Sequence, residues 1–138
     1  MQPISLTAAT YTLSKEAHSG TTLSVNRAAG TTITLPASSG DGSTFIFSVG
    51  TTVTSNNLII QVANSTDIMQ GVLSVASDIA GVTCPTTTTS DTITMNGSTT
   101  GGIKGSLVVL TDAASGYWEV SGGLVSSGAE ATPFSAAV

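Results

Sequence analysis

The sequence predicts a small all-β protein, an antiparallel β-sandwich or barrel with extended N- and C-terminal arms. Ser and Thr make up about a third of the 138 residues, whereas charged residues make up 8%. Thr is β-branched and favours strands, while Ser and Gly favour turns. Turn signals recur about every eight to twelve residues, which is typical of sandwiches and barrels. No segment has the sustained 3.6-residue apolar period of a long helix.

Strands are expected where short runs alternate apolar with polar residues or stay apolar throughout. In residues 43–49, for example, Phe45 and Phe47 fall on one face of the run. The predicted strands are 22–26, 31–35, 43–49, 58–62, 92–95, 106–111 and 117–121, with two shorter runs at 67–70 and 72–76. Residues 77–90 are the least regular stretch, and we expect one helical turn at most, at 77–82, before an extended, mobile loop.

The length suits one domain with distinct ends. We expect a β-domain at residues 11–122, an N-terminal arm at residues 1–10 and a C-terminal arm at residues 123–138. Ends of this composition are usually disordered, and the alternative is an arm that becomes ordered on a partner. The apolar residues that would form a protein interface in these arms are Ile4, Leu6, Leu124, Val125, Pro133, Phe134 and Val138.

The charge of the chain argues against a nucleic-acid or membrane partner. The net charge is −5, and the three basic residues, Lys15, Arg27 and Lys104, lie far apart in sequence. Binding to phosphates or to an anionic membrane needs clustered cations. No apolar run approaches the roughly 18 residues of a membrane span, and no signal peptide is visible. Because Cys84 is the only cysteine, no internal disulfide is expected, and synthesis in a cytoplasm is the simplest expectation.

Residues that carry chemistry are scarce, so the sequence predicts neither an enzyme nor a cofactor or metal site. His18 is the only histidine and lies in an expected exposed turn, with no sign of a triad around it. Cys84 lies in a Thr-rich loop with no nearby cation to activate it. The five Asp residues lie next to turns, and Asp41 and Asp112 are interpreted as turn formers. Two carboxylates brought together by the fold are the catalytic arrangement that the sequence leaves open.

Trp118 and its neighbour Tyr117 form the only aromatic pair in the sequence. A Trp on a surface can anchor a protein partner. In a late strand of a small β-domain, however, a Trp more often fills the core, so Trp118 is predicted to be buried.

An ordered set of strand motifs resembles a family of viral proteins. The motifs are Thr31–Ala37, Phe45–Val49, Asn57–Ile60, Thr92–Met95, Leu107–Asp112 and Tyr117–Gly122. In this order they are similar to small β-domain proteins encoded among the structural genes of tailed bacteriophages, most of all capsid decoration (cement) proteins. The resemblance covers roughly residues 30–122, and no functional residue is carried over, because these proteins have no catalytic motif to match.

The resemblance implies a structural role in a virus particle. A decoration protein would be made in the host cytoplasm and would bind the exterior of the head as a homotrimer, clamping neighbouring subunits of the major capsid protein. The alternative from the same resemblance is a phage tail, fibre or receptor-binding module that contacts the host surface. A bacterial surface β-domain and an enzyme are the other two hypotheses, and the sequence favours them less.

Overall fold

Two mixed β-sheets pack face to face in the computed structural model, which describes residues 2–138. The strands are β1 (Ile4–Leu6), β2 (Thr10–Thr12), β3 (Thr22–Val25), β4 (Thr31–Thr34), β5 (Thr44–Val49), β6 (Leu58–Gln61), β7 (Ile68–Ala76), β8 (Gly81–Pro85), β9 (Thr92–Met95), β10 (Leu107–Ala114), β11 (Tyr117–Val125) and β12 (Phe134–Ser135). Sheet A has the order β1-β3-β5-β10-β11-β7-β8, and sheet B has the order β12-β9-β6-β4-β2. The predicted all-β sandwich is confirmed.

The first six strands wind through the sandwich as three coils. β1, β3 and β5 lie side by side in sheet A, whereas β2, β4 and β6 lie side by side in sheet B. Because the chain crosses to the other sheet after each strand, neighbours within each sheet run parallel. The strands that follow add both antiparallel and parallel pairs. The sheets are therefore mixed, whereas the sequence predicted antiparallel sheets. Alternation of apolar and polar residues fixes the face on which a residue lies, but it does not fix the direction of the next strand.

The core lies between the inner faces of the two sheets and is filled by alternate strand residues. Phe45 and Phe47 of β5 are buried, with Val49 completing the same inner face. Trp118 of β11 is fully buried, and its ring meets that of Phe45 edge-on, with 5.7 Å between the centroids. Edge-to-face packing is a preferred geometry for aromatic rings. The prediction that Trp118 fills the core is confirmed.

The extended arms expected at the two ends are not seen, because both end segments are built into the sheets. β1 pairs with β3, and Leu6 is buried in the core. At the other end, β11 continues to Val125 beside β7, and β12 pairs with β9 and buries Phe134. The physical reason is that these segments carry apolar residues that the sandwich can bury, which offsets the entropy of ordering them. Met1 lies outside the described residues.

The irregular stretch at residues 77–90 contains a strand, and the one helix within residues 2–138 lies elsewhere. Gly81–Pro85 forms β8, which pairs antiparallel with β7 at the edge of sheet A. The helix α1 spans Lys15–His18 instead, where Ser14 caps its start by accepting a hydrogen bond from the Ala17 amide. Short Ser-capped turns give a weak periodic signal, so the sequence did not predict α1.

Candidate functional site

The outer face of sheet A carries a group of exposed apolar side chains. Val108 and Leu110 of β10 point into the core, so Leu107 and Val109 of the same strand point outward. Leu107 is 40% exposed. We call the set the outer patch: the exposed Val72, Leu107 and Val125, the half-buried Ile46 and Val109, and Gly123, which has no side chain. Contiguous exposed apolar surface of this kind marks protein interaction sites.

At the centre of the outer patch the protruding side chain of Leu107 lies beside Gly123, which has no side chain. Leu107 lies directly opposite Gly123 in the β10–β11 pairing, and Gly123 lies opposite Ser74 of β7. A Cβ atom added at Gly123 would meet no heavy atom within 4 Å, and the backbone there is not in the left-handed region. The patch therefore has open space at Gly123 that a neighbouring molecule could fill.

The outer face of sheet B is lined mostly by threonine hydroxyl groups, with Ile59 as its one apolar residue in the two rows that follow. The outward residues form two rows across the sheet: Thr10, Thr32, Ile59 and Thr94 in one, and Thr12, Thr34, Gln61 and Thr92 in the other. Thr92 is buried, whereas Thr10 and Thr12 are exposed at the edge of the sheet. The two broad faces of the sandwich thus differ in chemistry.

Both outer faces are almost free of charge. Among the outward strand residues within 2–138, Glu119 of β11 is the one charged side chain. Glu119 lies opposite Thr111 of β10 and Gln70 of β7 in the sheet. Along β11 it lies two residues before Ser121. Depletion of charge is the compositional signal of the buried centre of protein interfaces. The charge-poor faces therefore suit contacts with other proteins.

Three charged residues, Lys15, Asp41 and Asp112, form a cluster at one end of the sandwich. The Asp112 carboxylate is fully buried and accepts hydrogen bonds from Lys15 Nζ at 2.7 Å, Ser38 Oγ at 2.7 Å, and the amides of Ser39 and Gly40 at 2.9 Å each. Lys15 Nζ also lies 2.9 Å from a carboxylate oxygen of Asp41. Asp112 is a residue of β10 and not a turn former, so that interpretation was wrong. The cluster fastens α1 and the loop at 38–41 to sheet A.

The electrostatics of this cluster favour a fixed ion pair over acid–base chemistry. Burial opposes the charge on Asp112, but hydrogen bonds from Lys15, Ser39, Ser38 and Gly40 outweigh it and lower the pKa of the carboxyl. Burial likewise opposes the charge on Lys15, but its hydrogen bonds to Asp112 and Asp41 raise its pKa. The hydrogen bond from Lys15 holds the pKa of Asp41 far below its usual range. At neutral pH the amine is protonated and both carboxyls are ionised, so the cluster acts as a clamp.

The residues expected to form an interface through the arms are divided between the core and the surface. Leu6, Leu124, Pro133 and Phe134 are buried within the protein, and Ile4 packs half-buried against the core. Val125 and Val138 are 38% and 42% exposed. The structure brings Val125 into the outer patch, whereas Val138, the last residue, lies beside Asp91. A contact role stays a prediction for these two exposed valines.

The two residues considered for nucleophilic chemistry lie apart from each other. Cys84 is buried on β8 opposite Leu73, and His18 is half-buried on α1 with Nδ1 facing the Ser14 amide at 3.1 Å. Across residues 2–138 the structure contains no pocket and no group of three metal-ligating side chains. Over the same residues no helix has the length and apolar character needed to cross a membrane.

Comparison with known proteins gives no relative for this chain. No protein-family model, no curated protein and no solved structure matches it.

The structural features that sequence reasoning missed did carry a signal in the sequence. Asp112 continues the inward phase of Val108 and Leu110, which marks it as a buried charge, and Leu107 and Gly123 fall on the outward phase of their strands.

Proposed function

We propose that the protein is a structural component of a tailed-bacteriophage particle, a capsid decoration protein that binds the outside of the head and stabilises neighbouring capsid subunits. The observation that carries the proposal is the pair of broad, charge-poor faces, of which sheet A bears the outer patch. The resemblance of the strand motifs to phage decoration proteins is the reason for proposing a phage capsid as the particle. The partner would be the major capsid protein.

Low charge and the many equivalent sites of a shell both suit this surface to capsid binding. Many copies must sit close together on a capsid, and charge-poor faces reduce like-charge repulsion where copies with a net charge of −5 come close. A shell also presents many equivalent sites, so modest affinity at each site is enough for dense occupancy when contacts are multivalent. The Lys15–Asp112 clamp and the buried ends give a stable body without a disulfide.

The test is co-sedimentation of the purified full chain with capsid shells that lack it. Truncation after Gly122 is unsuitable, because it would remove β12 and the buried Leu124. Two point variants probe the faces instead: Gly123→Arg on sheet A and Thr10→Arg on sheet B, both at exposed positions. We expect saturable binding at a copy number that matches a capsid symmetry, and loss of binding in one of the two variants. Absence of binding by the unmodified protein at any concentration would overturn the proposal.

A phage tail or receptor-binding module is the second candidate. The observation in its favour is the hydroxyl-lined face of sheet B, which offers neutral hydrogen-bonding groups to a host surface. Binding of the labelled protein to host cells, reduced by Thr10→Arg and not by Gly123→Arg, would favour this function over decoration. Equal absence of cell binding in all three proteins would exclude it.

A further inference from the structure

We propose that β8, the last strand of sheet A, pairs antiparallel with β8 of a second copy across a two-fold axis at Val82. The two seven-stranded sheets then form one continuous sheet. The pairing concerns the protein free in solution and does not depend on the proposed function. It rests on the backbone groups that β8 leaves unpaired, on an exposed apolar side chain at this edge and on the position of charge around it.

The ladder between β7 and β8 shows which backbone groups of β8 point away from the sheet. The Thr86 amide donates to the Gly71 carbonyl at 3.0 Å, and the Ser77 amide donates to the Ala80 carbonyl at 2.8 Å. In an antiparallel ladder every second residue exchanges hydrogen bonds with the opposite strand. Within β8, the even-numbered residues therefore bond to β7, and the odd-numbered residues direct their backbone groups away from it.

The odd-numbered residues of β8 form a free edge of sheet A. Gly81 and Thr83 each present an N–H donor and a C=O acceptor there, whereas Pro85 presents a carbonyl alone. All three residues are exposed, and no other strand of residues 2–138 lies beside this edge. A row of such groups is a template for pairing with another strand.

The free backbone groups select the register of the pair. Centred on Val82, the two-fold axis places Gly81 of each copy opposite Thr83 of the other, and each of these pairs exchanges two hydrogen bonds. Every outward N–H and C=O group of Gly81 and Thr83 is then satisfied. Registers centred further along β8 place Pro85 opposite Thr83 or Gly81 and leave a carbonyl without a donor, because Pro85 has no N–H.

The side chain at the centre of the pair is apolar and open to solvent in the single chain. Val82 lies opposite Val75 and on the same face of sheet A, yet Val82 is 43% exposed whereas Val75 is buried. At the axis Val82 meets Val82 of the other copy in a non-hydrogen-bonded pair, in which the Cα atoms lie about 4.5 Å apart. Pairing therefore buries apolar surface at its centre, and contacts between β-branched side chains of this kind stabilise sheets.

The charges around this edge favour a second copy as the occupant. Residues 79–90 contain no charged side chain, although charged residues commonly keep exposed edge strands apart. Asp78 precedes this segment, and Glu130 lies at the same end, within 3.2 Å of the Ser77 hydroxyl. Because the pair is antiparallel, these acids lie at opposite ends of the contact in the two copies. Glu119 lies on β11, which β7 separates from β8, so the axis brings none of these acids against its own copy.

The test is the mass of the full chain in solution, measured by sedimentation equilibrium over a range of concentrations, together with amide hydrogen exchange. We expect one chain at low concentration and two chains at high concentration. The amides of Gly81 and Thr83 should exchange freely in the single chain and slow down as the pair forms. The amides of Val82 and Cys84 should be protected in both states, because they bond to β7.

Two variants at exposed positions of β8 disturb the pair and leave the hydrogen bonds to β7 in place. Thr83→Pro removes an outward N–H, and Val82→Lys places two like charges at the axis. The matched controls are Thr83→Val, which keeps the N–H, and Val82→Thr, which keeps a neutral β-branched side chain. We expect the dissociation constant to rise at least about tenfold in Thr83→Pro and in Val82→Lys, and to stay close to that of the unmodified protein in the controls.

A single chain at every concentration would overturn the pairing. So would three chains, because a two-fold contact closes at two. A pair that is unaffected by both Thr83→Pro and Val82→Lys, or whose Gly81 and Thr83 amides exchange as in the single chain, would show that another surface is used. Protection of these amides only when capsid shells are added would assign the edge to a strand of the capsid protein and overturn the pairing of two copies. Shell binding itself is measured separately, so the two proposals fail independently.

Discussion

Replacing Asp112 with Ala should destabilise the fold more than any other change to a charged residue. The substitution leaves the amides of Ser39 and Gly40 without their carboxylate acceptor and leaves Lys15 with Asp41 and the Ser39 hydroxyl. An unpaired buried donor costs about 1–3 kcal/mol, and breaking a buried ion pair costs about 3–5 kcal/mol. Because Lys15 is close to the surface and keeps Asp41 and the Ser39 hydroxyl as partners, we expect about 3–4 kcal/mol. That is a large share of the roughly 5–15 kcal/mol that stabilises a typical protein.

The measurement is urea unfolding followed by Trp118 fluorescence, with thermal unfolding as a second probe. A loss of this size corresponds to a fall in Tm of about 10–15 °C for a domain of this length. Asp41→Asn is the matched control, because it removes the exposed partner of the same lysine and should have a much smaller effect. If Asp112→Ala and Asp41→Asn have equal stability, the clamp does not hold the fold together and the reasoning fails.

The other predictions follow from burial and backbone geometry. Lowering the pH below the ordinary Asp value of 3.8 should weaken the fold progressively. The depressed pKa of Asp112 gives stability that is fully present above 3.8 and is lost as the pH falls toward the pKa of the folded state, so Asp112→Ala should flatten this part of a stability–pH profile. Ser126→Ala should leave stability unchanged or raise it by about 1 kcal/mol in urea unfolding, because its buried hydroxyl has no hydrogen-bond partner within residues 2–138. Ser106→Ala should instead lower the free energy of unfolding by about 2–3 kcal/mol, because its buried hydroxyl donates to the Ile103 carbonyl and accepts from the Val125 amide. Equal effects of Ser106→Ala and Ser126→Ala would contradict this difference in hydrogen bonding. Gly97→Ala should abolish folding or lower Tm far more than Gly116→Ala. Both glycines have positive φ, but a Cβ at Gly97 would overlap the Val53 carbonyl oxygen, whereas a Cβ at Gly116 would meet no heavy atom within 4 Å.

Alternation in the sequence predicts which strand residues are buried, and this part of the fold could be derived in advance. Phe45, Phe47 and Trp118 lie in the core because each falls on the apolar phase of its strand. Strand direction could not be derived, since a residue pattern of period two is the same read in either direction. The parallel coils of β1 to β6 depend on how each connection crosses between the sheets, which is decided by packing of the whole molecule.

The two ends and the site show where local composition misleads. The Gly- and Ser-rich C-terminal segment has the composition of a mobile arm, yet Leu124 and Phe134 are spaced so that sheets A and B can bury them. Asp112 was interpreted from its neighbours as a turn residue, although its phase with Leu110 places it inside. The outer patch depends on neighbours from four strands, and such a surface becomes visible only once the strand order is known.

The most direct test of the proposed function is to locate the protein on the particle. Electron cryomicroscopy of phage particles that carry it, compared with particles from which its gene has been deleted, would give its position and copy number. We expect additional density on the outside of the head at positions that follow the capsid symmetry, and heads that disrupt more readily on heating when it is missing. Density confined to the tail, or heads that are identical in both particles, would contradict a capsid decoration protein.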